Sequence, residues 1–357
     1  MIDYKNILQE KKKLILSNYT VPQTITQEWI SQMFLDNKST FFIWGWCYRD
    51  ISSAIFSQEV TADTLNKISF DDKTEFPVKL PVGYEPEKLL KETRKVPLGI
   101  ELLHAKGVSG QGMSVAIIDS AFLPHVETER AGFFYYEHSK IASEHFHGLL
   151  TSTILAGKKL GIVPNAKCYF YTMSQMTAER DGELVDGLKK IYEQVSKGEK
   201  ICVVSLSMPY PKSTKDEYYE VVEKLKEADC QVIDSVEFNK DFICGRFTSA
   251  DVLNLEYVDL NDWQKEGEWQ QTIESRIVIP SAGRALPLWG TEDRYHYCAQ
   301  SGVSWSIPML AGLYCLAKQM NPDVEYQEFV RLIKETAYKN KSGLNVINIS
   351  LLSARLK

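Results

Sequence analysis

Three residues of this 357-residue chain carry side chains that could together form an activated nucleophile. Asp119 directly follows the apolar run Val115–Ile118, and His147 precedes a run of small and apolar residues. Ser304 lies at a junction between a loop and an apolar helical run. A carboxylate that orients an imidazole, which in turn takes the proton of a serine hydroxyl, produces an activated nucleophile. The residue types and their order therefore predict acyl transfer through Ser304.

Each of these residues also has an ordinary structural interpretation. An aspartate after a strand often forms an Asx turn, and a serine at the start of a helix is often only its N-cap. A lone histidine is more often structural than catalytic, and His145 competes with His147 for the catalytic role. We favour His147 because Gly148 follows it and allows backbone or substrate to approach closely.

The elements that must position these residues follow an α/β pattern that begins near residue 96. Apolar strand-like runs alternate with helical stretches of 10–15 residues, which predicts βαβ units and a largely parallel sheet flanked by helices. Strands are predicted over residues 113–118, 166–172, 201–206, 231–236, 252–259 and 276–279, and helices over 98–106, 148–156, 182–196, 217–228 and 309–320. Catalytic groups of such sheets gather at the carboxyl ends of the strands, and Asp119 occupies such a position.

Three segments together resemble the subtilisin-like serine proteases, the subtilase family. Val115–Ser120 resembles the family's aspartate motif, and His147-Gly148 with the later Gly161–Pro164 resembles its histidine motif. Gly302–Pro308 resembles the nucleophile motif Gly-Thr-Ser-x-Ala-x-Pro. The resemblance covers residues 96–357. It implies a subtilisin-like peptidase domain with the triad Asp119, His147 and Ser304, an order that differs from those of chymotrypsin and the α/β-hydrolases.

The resemblance also implies roles for residues outside the triad. The family uses an asparagine side chain in its oxyanion hole, just after a strand, and Asn239 fits that position behind the predicted strand 231–236. The alternative is an ordinary loop asparagine. The family's substrate-pairing strand corresponds to Val203–Pro209, so Ser205, Leu206 and Ser207 are expected to bind an extended peptide by β-augmentation.

Departures from the family pattern concern the specificity pocket. Glu237 and Phe238 replace small residues before the oxyanion asparagine, and Pro209 replaces a glycine, which predicts a narrowed or reshaped pocket. Glu237 could point inward and favour a basic substrate residue, or outward into solvent. Trp305, beside the nucleophile, could pack in the core or cover the cleft. Narrow specificity, a gated site and a loss of activity all remain open at this point.

Residues 1–95 form an N-terminal extension that lacks the regular strand–helix alternation of the rest. It is expected to be of α+β type. Helices are predicted over residues 5–18, 26–35 and 62–67, and a strand over 40–48, before a proline-rich linker. Many subtilases carry an inhibitory prodomain at this position, so the extension is either such a prodomain, acting as an intramolecular partner of the site, or a permanent accessory domain.

Composition narrows the remaining classes of function. A net charge of −6 offers no basic stripe for nucleic acid. No apolar run reaches the roughly 18 residues of a membrane span, and no signal-peptide pattern is seen. The seven scattered cysteines contain no CxxC pair, which favours a reduced, cytoplasmic protein. We expect no cofactor, and no metal, since no DxDxDG-type calcium loop is present.

The leading hypothesis from the sequence is a serine endopeptidase of narrow specificity that processes a peptide or protein precursor. The alternative from another class is a pseudoprotease that binds peptides without cleaving them. A different Ser-His-Asp hydrolase is disfavoured, because no Gly-x-Ser-x-Gly motif surrounds Ser304.

Overall fold

The computed structural model describes residues 3–17, 19–35, 43–138, 144–174, 179–265 and 273–356. Its helices are α1 (Tyr4–Leu16), α2 (Gln27–Leu35), α3 (Ala62–Leu65), α4 (Pro86–Glu92), α5 (Glu101–His104), α6 (Phe146–Ala156), α7 (Arg180–Ser196), α8 (Lys215–Glu227), α9 (Ser235–Asp241), α10 (Val303–Met320), α11 (Tyr326–Thr336) and α12 (Ile349–Arg355). Its strands are β1 (Thr24–Ile25), β2 (Ile55–Phe56), β3 (Phe70–Asp71), β4 (Ser114–Asp119), β5 (Phe133–Tyr136), β6 (Lys167–Thr172), β7 (Ile201–Ser205), β8 (Gln231–Ile233), β9 (Phe242–Phe247), β10 (Val258–Asp259), β11 (Ile277–Ala282), β12 (Arg284–Pro287), β13 (Tyr295–Cys298), β14 (Tyr338–Lys339) and β15 (Asn345–Val346).

A five-stranded parallel sheet forms the centre of the molecule, in the order β5-β6-β4-β7-β8. Every residue of β4 is buried, because apolar layers cover both faces, as parallel sheets require. The predicted α/β fold with a largely parallel sheet flanked by helices is confirmed. Since β4 lies in the middle of this sheet, its last residue, Asp119, lies at the centre of the carboxyl edge.

Helices cover the two faces of this sheet with separate apolar cores. One core joins α6 and α10 to the sheet, and α10 is buried from Trp305 to Lys318. The other core joins α7 and α8 to the opposite face. Gly312 lets α10 approach the loop after α6, because a Cβ there would lie 2.6 Å from Ile162 Cβ. The two helices that begin near His147 and Ser304 therefore pack in one layer.

Residues before 96 do not stand apart from the body of the molecule. The strand β3 pairs with β13 in a three-stranded antiparallel sheet of order β12-β13-β3. A further sheet, β10-β9-β11-β15-β14, mixes parallel and antiparallel pairs at the far side of α10. The N-terminal segment thus supplies a strand to a sheet whose other two strands belong to the C-terminal part.

Three of the predicted strands differ in the structure. Of the aromatic run 40–48, positions 40–42 lie outside the described residues, and the remainder forms helical turns. The predicted strand 231–236 ends at Ile233, since the Asp234 side chain accepts a hydrogen bond from the Glu237 N–H and caps α9. Of 252–259, only Val258–Asp259 is a strand.

The structure also shows the state of the cysteines and the character of the described helices. All seven cysteines are free and buried, as small apolar residues of a core are. No helix in the described part of the chain is both long and apolar enough to cross a membrane.

Candidate active site

Asp119 provides a fully buried carboxylate at the end of β4. Its oxygens accept hydrogen bonds from His147 Nδ1 at 2.8 and 2.9 Å and from Thr151 Oγ1 at 2.9 Å. The backbone N–H and the hydroxyl of Ser120 donate to Oδ1 at 2.7 and 3.2 Å. A buried carboxylate with this many donors is held ionised and in one orientation.

The electrostatic balance at Asp119 follows from these contacts. Burial alone would raise the pKa of the Asp119 carboxyl, but the charge and hydrogen bond of His147, with the donors Ser120 and Thr151, together lower that pKa below its ordinary value. The carboxylate is thus ionised at neutral pH, where it can stabilise an imidazolium. Sequence reasoning missed Ser120 and Thr151, although both are hydroxyl residues beside predicted catalytic motifs.

His147 lies in the first turn of α6, as the sequence predicts. The neighbouring Gly148 allows this placement, because a Cβ there would lie 2.1 Å from the Ser120 carbonyl oxygen. Gly148 N–H also donates to Ser120 Oγ at 3.1 Å. The start of α6 is thereby fixed against the end of β4. With Nδ1 bound to Asp119, Nε2 is the imidazole nitrogen left for proton transfer.

His145 has a different role from His147 in the structure. It is the N-cap of α6, and its Nδ1 accepts a hydrogen bond from the His147 N–H at 3.3 Å. Burial, followed by the adjacent His147, lowers the pKa of His145 to about 4. His145 is therefore neutral at pH 7 and serves as a cap, while His147 is the histidine brought to Asp119.

Ser304 is the second residue of α10, whose N-cap is Gly302. Pro308, four residues further on, has no N–H to donate to the Ser304 carbonyl, and that carbonyl instead accepts from Ser207 Oγ at 2.9 Å. The Ser304 N–H has no carbonyl behind it within the helix and no partner among the described residues. It is therefore available to an oxyanion.

The Ser304 hydroxyl donates to the Ser207 carbonyl at 3.4 Å. Within the described part of the chain, no hydrogen bond joins that hydroxyl to His147. Trp305 links the two sides of the site instead, since its ring lies 5.2 Å from the His147 ring and is 6% exposed. Trp305 thus both packs in the core and covers the imidazole.

Asn239 lies in α9, six positions after the last residue of β8, and not directly behind a strand. Its Oδ1 is buried without a partner among the described residues. α9 packs against α10, the helix that carries Ser304. No hydrogen bond joins Asn239 to Ser304 in the described structure, and its oxyanion role stays a prediction.

The predicted substrate-binding residues have different surroundings. Ser205 and Leu206 are fully buried, and Ser205 is paired on both sides by β4 and β8. Ser207 contacts the site through two hydrogen bonds to Ser304, and peptide binding by the three residues stays a prediction.

The two pocket residues on α9 also differ from expectation. Glu237 pairs with Lys240 at 2.6 Å on the helix surface, which is the outward orientation. Phe238 is fully buried, with its ring 5.7 Å from that of Phe242. The expectation that Phe238 lines a substrate pocket does not fit this burial, because α9 turns its apolar face into the core.

Metal and cavity observations add little to the site. Among the described residues, no group of three or more His, Cys, Asp or Glu side chains could hold a metal ion. A cavity of about 930 Å³ is lined by residues between 70 and 94 and by 293–295. Another, of about 730 Å³, includes Gln300, four residues before Ser304, with Phe34 and Trp263.

Comparison with known proteins shows which solved structures share this fold. No family model matches the sequence, and no curated protein matches it either. Among solved structures, proteases from Pseudoalteromonas arctica share the fold at 12% identity, with a TM-score of 0.51, 75% of this chain covered and 98% of that chain. The prenylagaramide maturation protease PagA matches at 12% identity and a TM-score of 0.49, covering 72% and 98%. The subtilase cytotoxin SubAB matches at 13% and 0.47, covering 73% and 94%.

The molecule therefore has the fold of subtilisin-like proteases, and the resemblance predicted from the three motifs is confirmed at the level of the fold. At such low identity the likeness carries the fold alone. The activity has to be argued from the residues of this chain.

Proposed function

We propose that this chain is a serine endopeptidase that hydrolyses peptide bonds through an acyl-enzyme on Ser304. The observation that carries the proposal is the buried Asp119–His147 pair, with Nδ1 at 2.8 Å from the carboxylate. The His147 ring lies against Trp305, the residue next to Ser304. A carboxylate and an imidazole held in this way beside a serine at a helix N-terminus are typical of a charge-stabilised general base.

The reaction requires the Ser304 hydroxyl to exchange its hydrogen bond to the Ser207 carbonyl for one to His147 Nε2. Catalytic hydrogen bonds often tighten only when substrate binds. Nε2 takes the hydroxyl proton while Oγ bonds to the substrate carbonyl carbon. The imidazolium then gives that proton to the leaving amine as the peptide bond breaks. Water, deprotonated by His147, then attacks the acyl carbon, and the imidazolium returns the proton to Ser304 Oγ as the ester bond breaks.

The developing oxyanion would be held by the free Ser304 N–H. We keep Asn239 as the second donor, through its Nδ2 amide group, since its helix packs against α10. A substrate is a peptide or protein, and the Trp305 ring against the imidazole favours narrow specificity, such as the processing of a precursor in the cytoplasm.

The test is covalent labelling by a fluorophosphonate, which bonds to an activated serine oxygen and releases fluoride. We expect a single adduct on the parent protein, measured by intact mass, and none on Ser304→Ala. Ser306→Ala is the matched control, because that hydroxyl is buried and bonded to Ile279 O and Ser281 Oγ. An adduct that persists in Ser304→Ala would contradict the proposal.

A second candidate function is favoured by one observation, the hydrogen bond of the Ser304 hydroxyl to Ser207 instead of His147. If this arrangement persists when peptide is bound, the protein binds peptides without cleaving them. Peptide binding that is unchanged in His147→Ala, together with an unlabelled parent, would favour this pseudoprotease over the endopeptidase.

A further inference from the structure

We propose that the N-terminal segment is a permanent part of the catalytic body, because residues 66–71 position the loop that leads into Ser304. The loop is Ala299–Ser301, and we call it the nucleophile loop. The proposal rests on the proposed function, since it assigns positioning residues to that site. It also decides between the two roles that the sequence leaves open for the extension.

The body of the molecule holds one end of the nucleophile loop. Ser301 N–H donates to Asn261 Oδ1 at 3.1 Å, and Asn261 Nδ2 donates to Ser301 O and Oγ at 2.9 and 2.8 Å. Asn261 is itself fixed by Gln264 Oε1, while Gln264 Nε2 donates to Cys244 O in β9. Ser301 is fully buried, so these hydrogen bonds fix the backbone of the loop three residues before the nucleophile.

The N-terminal segment holds the other end of the loop. Ala299 N–H donates to Ser69 Oγ at 3.1 Å, and Gln300 Nε2 donates to Lys67 O at 2.6 Å. Two consecutive residues of the loop therefore depend on hydrogen-bond partners that lie more than 200 positions earlier in the chain.

Arg246 joins the two parts across the loop. Its Nε donates to Ala299 O at 2.9 Å and its Nη2 to Asn66 O at 2.6 Å, and it is 3% exposed. A buried guanidinium that loses an acceptor is left with an unpaired charged donor, which strongly destabilises a structure. Removal of residues 66–69 would do this to Arg246.

The segment also contacts the histidine side of the site. Trp44 lies 5.2 Å from the ring of Phe146, the first residue of α6, and 5.1 Å from that of His296. The strand β3 pairs with β13 directly before the nucleophile loop, and Phe70 and Tyr297 there have ring centroids 5.3 Å apart.

These contacts differ from those expected of an inhibitory prodomain, which must dissociate before the site can act. Among described residues 3–17, 19–35 and 43–95, none hydrogen-bonds to Ser304 or His147, while the buried rings of Trp44 and Phe70 would lose their contacts with the body on departure. The geometry points to a segment that builds the site and does not block it.

The first experiment cuts the linker. Val78 and Val82 are fully exposed, so a recognition sequence for a specific protease inserted between Val78 and Lys79 can be cleaved in the folded protein. We expect the two fragments to co-elute in gel filtration and the fluorophosphonate labelling rate to stay within twofold of the uncut protein. Labelling that is unchanged or faster after the N-terminal fragment has left would overturn the proposal.

The second experiment tests positioning at Arg246. We expect Arg246→Met to lower the maximal labelling rate 10- to 100-fold while the half-saturating probe concentration changes less than threefold, and Arg246→Lys to restore part of the rate. Arg331→Met, which removes only exposed ion pairs with Glu328 and Glu335, is the matched control. Folding is checked by circular dichroism for each variant.

The outcomes separate this proposal from the proposed function. A parent protein that the probe never labels would count against the protease, while co-elution of the cut fragments would still report on the permanence of the segment. A labelled parent whose Arg246→Met variant is folded and labels at the parent rate would overturn the positioning role alone.

Discussion

At the scale of residues, the Asp119–His147 pair makes the sharpest prediction. Asp119→Asn keeps the size of the side chain but removes the charge that stabilises the imidazolium. We expect the labelling rate of Ser304 to fall by roughly 10⁴-fold, as for the equivalent change in a known triad. Asp50→Asn, at an exposed aspartate whose side chain bonds to the N–H and hydroxyl of Ser52, should label at the parent rate. An Asp119→Asn variant with unchanged labelling would remove the basis of the proposed mechanism.

Asn239 makes a second prediction at this scale. If its amide donates to the oxyanion, Asn239→Asp removes the donor at nearly equal volume, and hydrolysis of a peptide substrate should slow by roughly 10²–10³-fold in kcat with little change in KM. Val236→Ala, at an exposed position on the same helix, should leave both unchanged. A normal kcat in Asn239→Asp would assign Asn239 to packing of α9 and leave the Ser304 N–H to act with another donor.

At the scale of secondary-structure elements, some parts of the site could be predicted from the sequence. Val115–Ile118 is a continuous apolar run, so its burial in a parallel sheet and the edge position of Asp119 follow directly. The predicted strand 231–236 is wrong for residues 234–236, which cap and begin α9, because its apolar residues were interpreted as one strand. Asp234 followed three residues later by Glu237 is an N-cap signature that would have predicted α9.

Other features could not be predicted, because tertiary contacts decide them. The aromatic residues around Trp44 have strand propensity, but Trp44 packs on Phe146, Trp289 and His296 instead. The pairing of β3 with β13 joins residues over 200 positions apart, and no local sequence pattern indicates this pairing. Sequence thus predicted the elements that hold Asp119 and His147, while the support of the nucleophile loop depended on long-range contacts.

A prediction at the scale of elements concerns Gly148, where α6 begins against β4. An added Cβ would lie 2.1 Å from the Ser120 carbonyl oxygen, so Gly148→Ala should push the start of α6 away from β4 and separate His147 from Asp119. We expect a loss of about 1–3 kcal/mol in the free energy of unfolding, as for overpacking in a core, with a large fall in labelling rate.

Gly182→Ala is the matched control for Gly148→Ala. Gly182 also lies in a helix, α7, where a Cβ would meet nothing within 4 Å. Since alanine favours a helix over glycine by about 1 kcal/mol, this variant should be as stable as the parent or more so. Equal behaviour of the two variants in urea unfolding would contradict the role assigned to Gly148.

At the scale of the whole molecule, the interface between the N-terminal segment and the body contains a buried histidine that links stability to pH. His296 in β13 is fully buried against Trp44, and its Nδ1 donates to Pro287 O at 3.0 Å. Burial lowers the pKa of His296 to about 4. The folded protein therefore holds this imidazole neutral between pH 6.5 and 4, while the unfolded chain takes up a proton.

The free energy of unfolding should consequently be highest above pH 6.5 and decline as the pH falls towards 4, since the unfolded state binds more protons there. His296 contributes a slope of up to about 1.4 kcal/mol per pH unit. His145, whose pKa is lowered in the same direction, adds to this decline. We expect His296→Gln to flatten the dependence by about one proton in urea unfolding between pH 7.5 and 5, while its offset from the parent stays constant above pH 7.5. Parallel curves for variant and parent over the acid range would show that His296 does not couple the interface to pH.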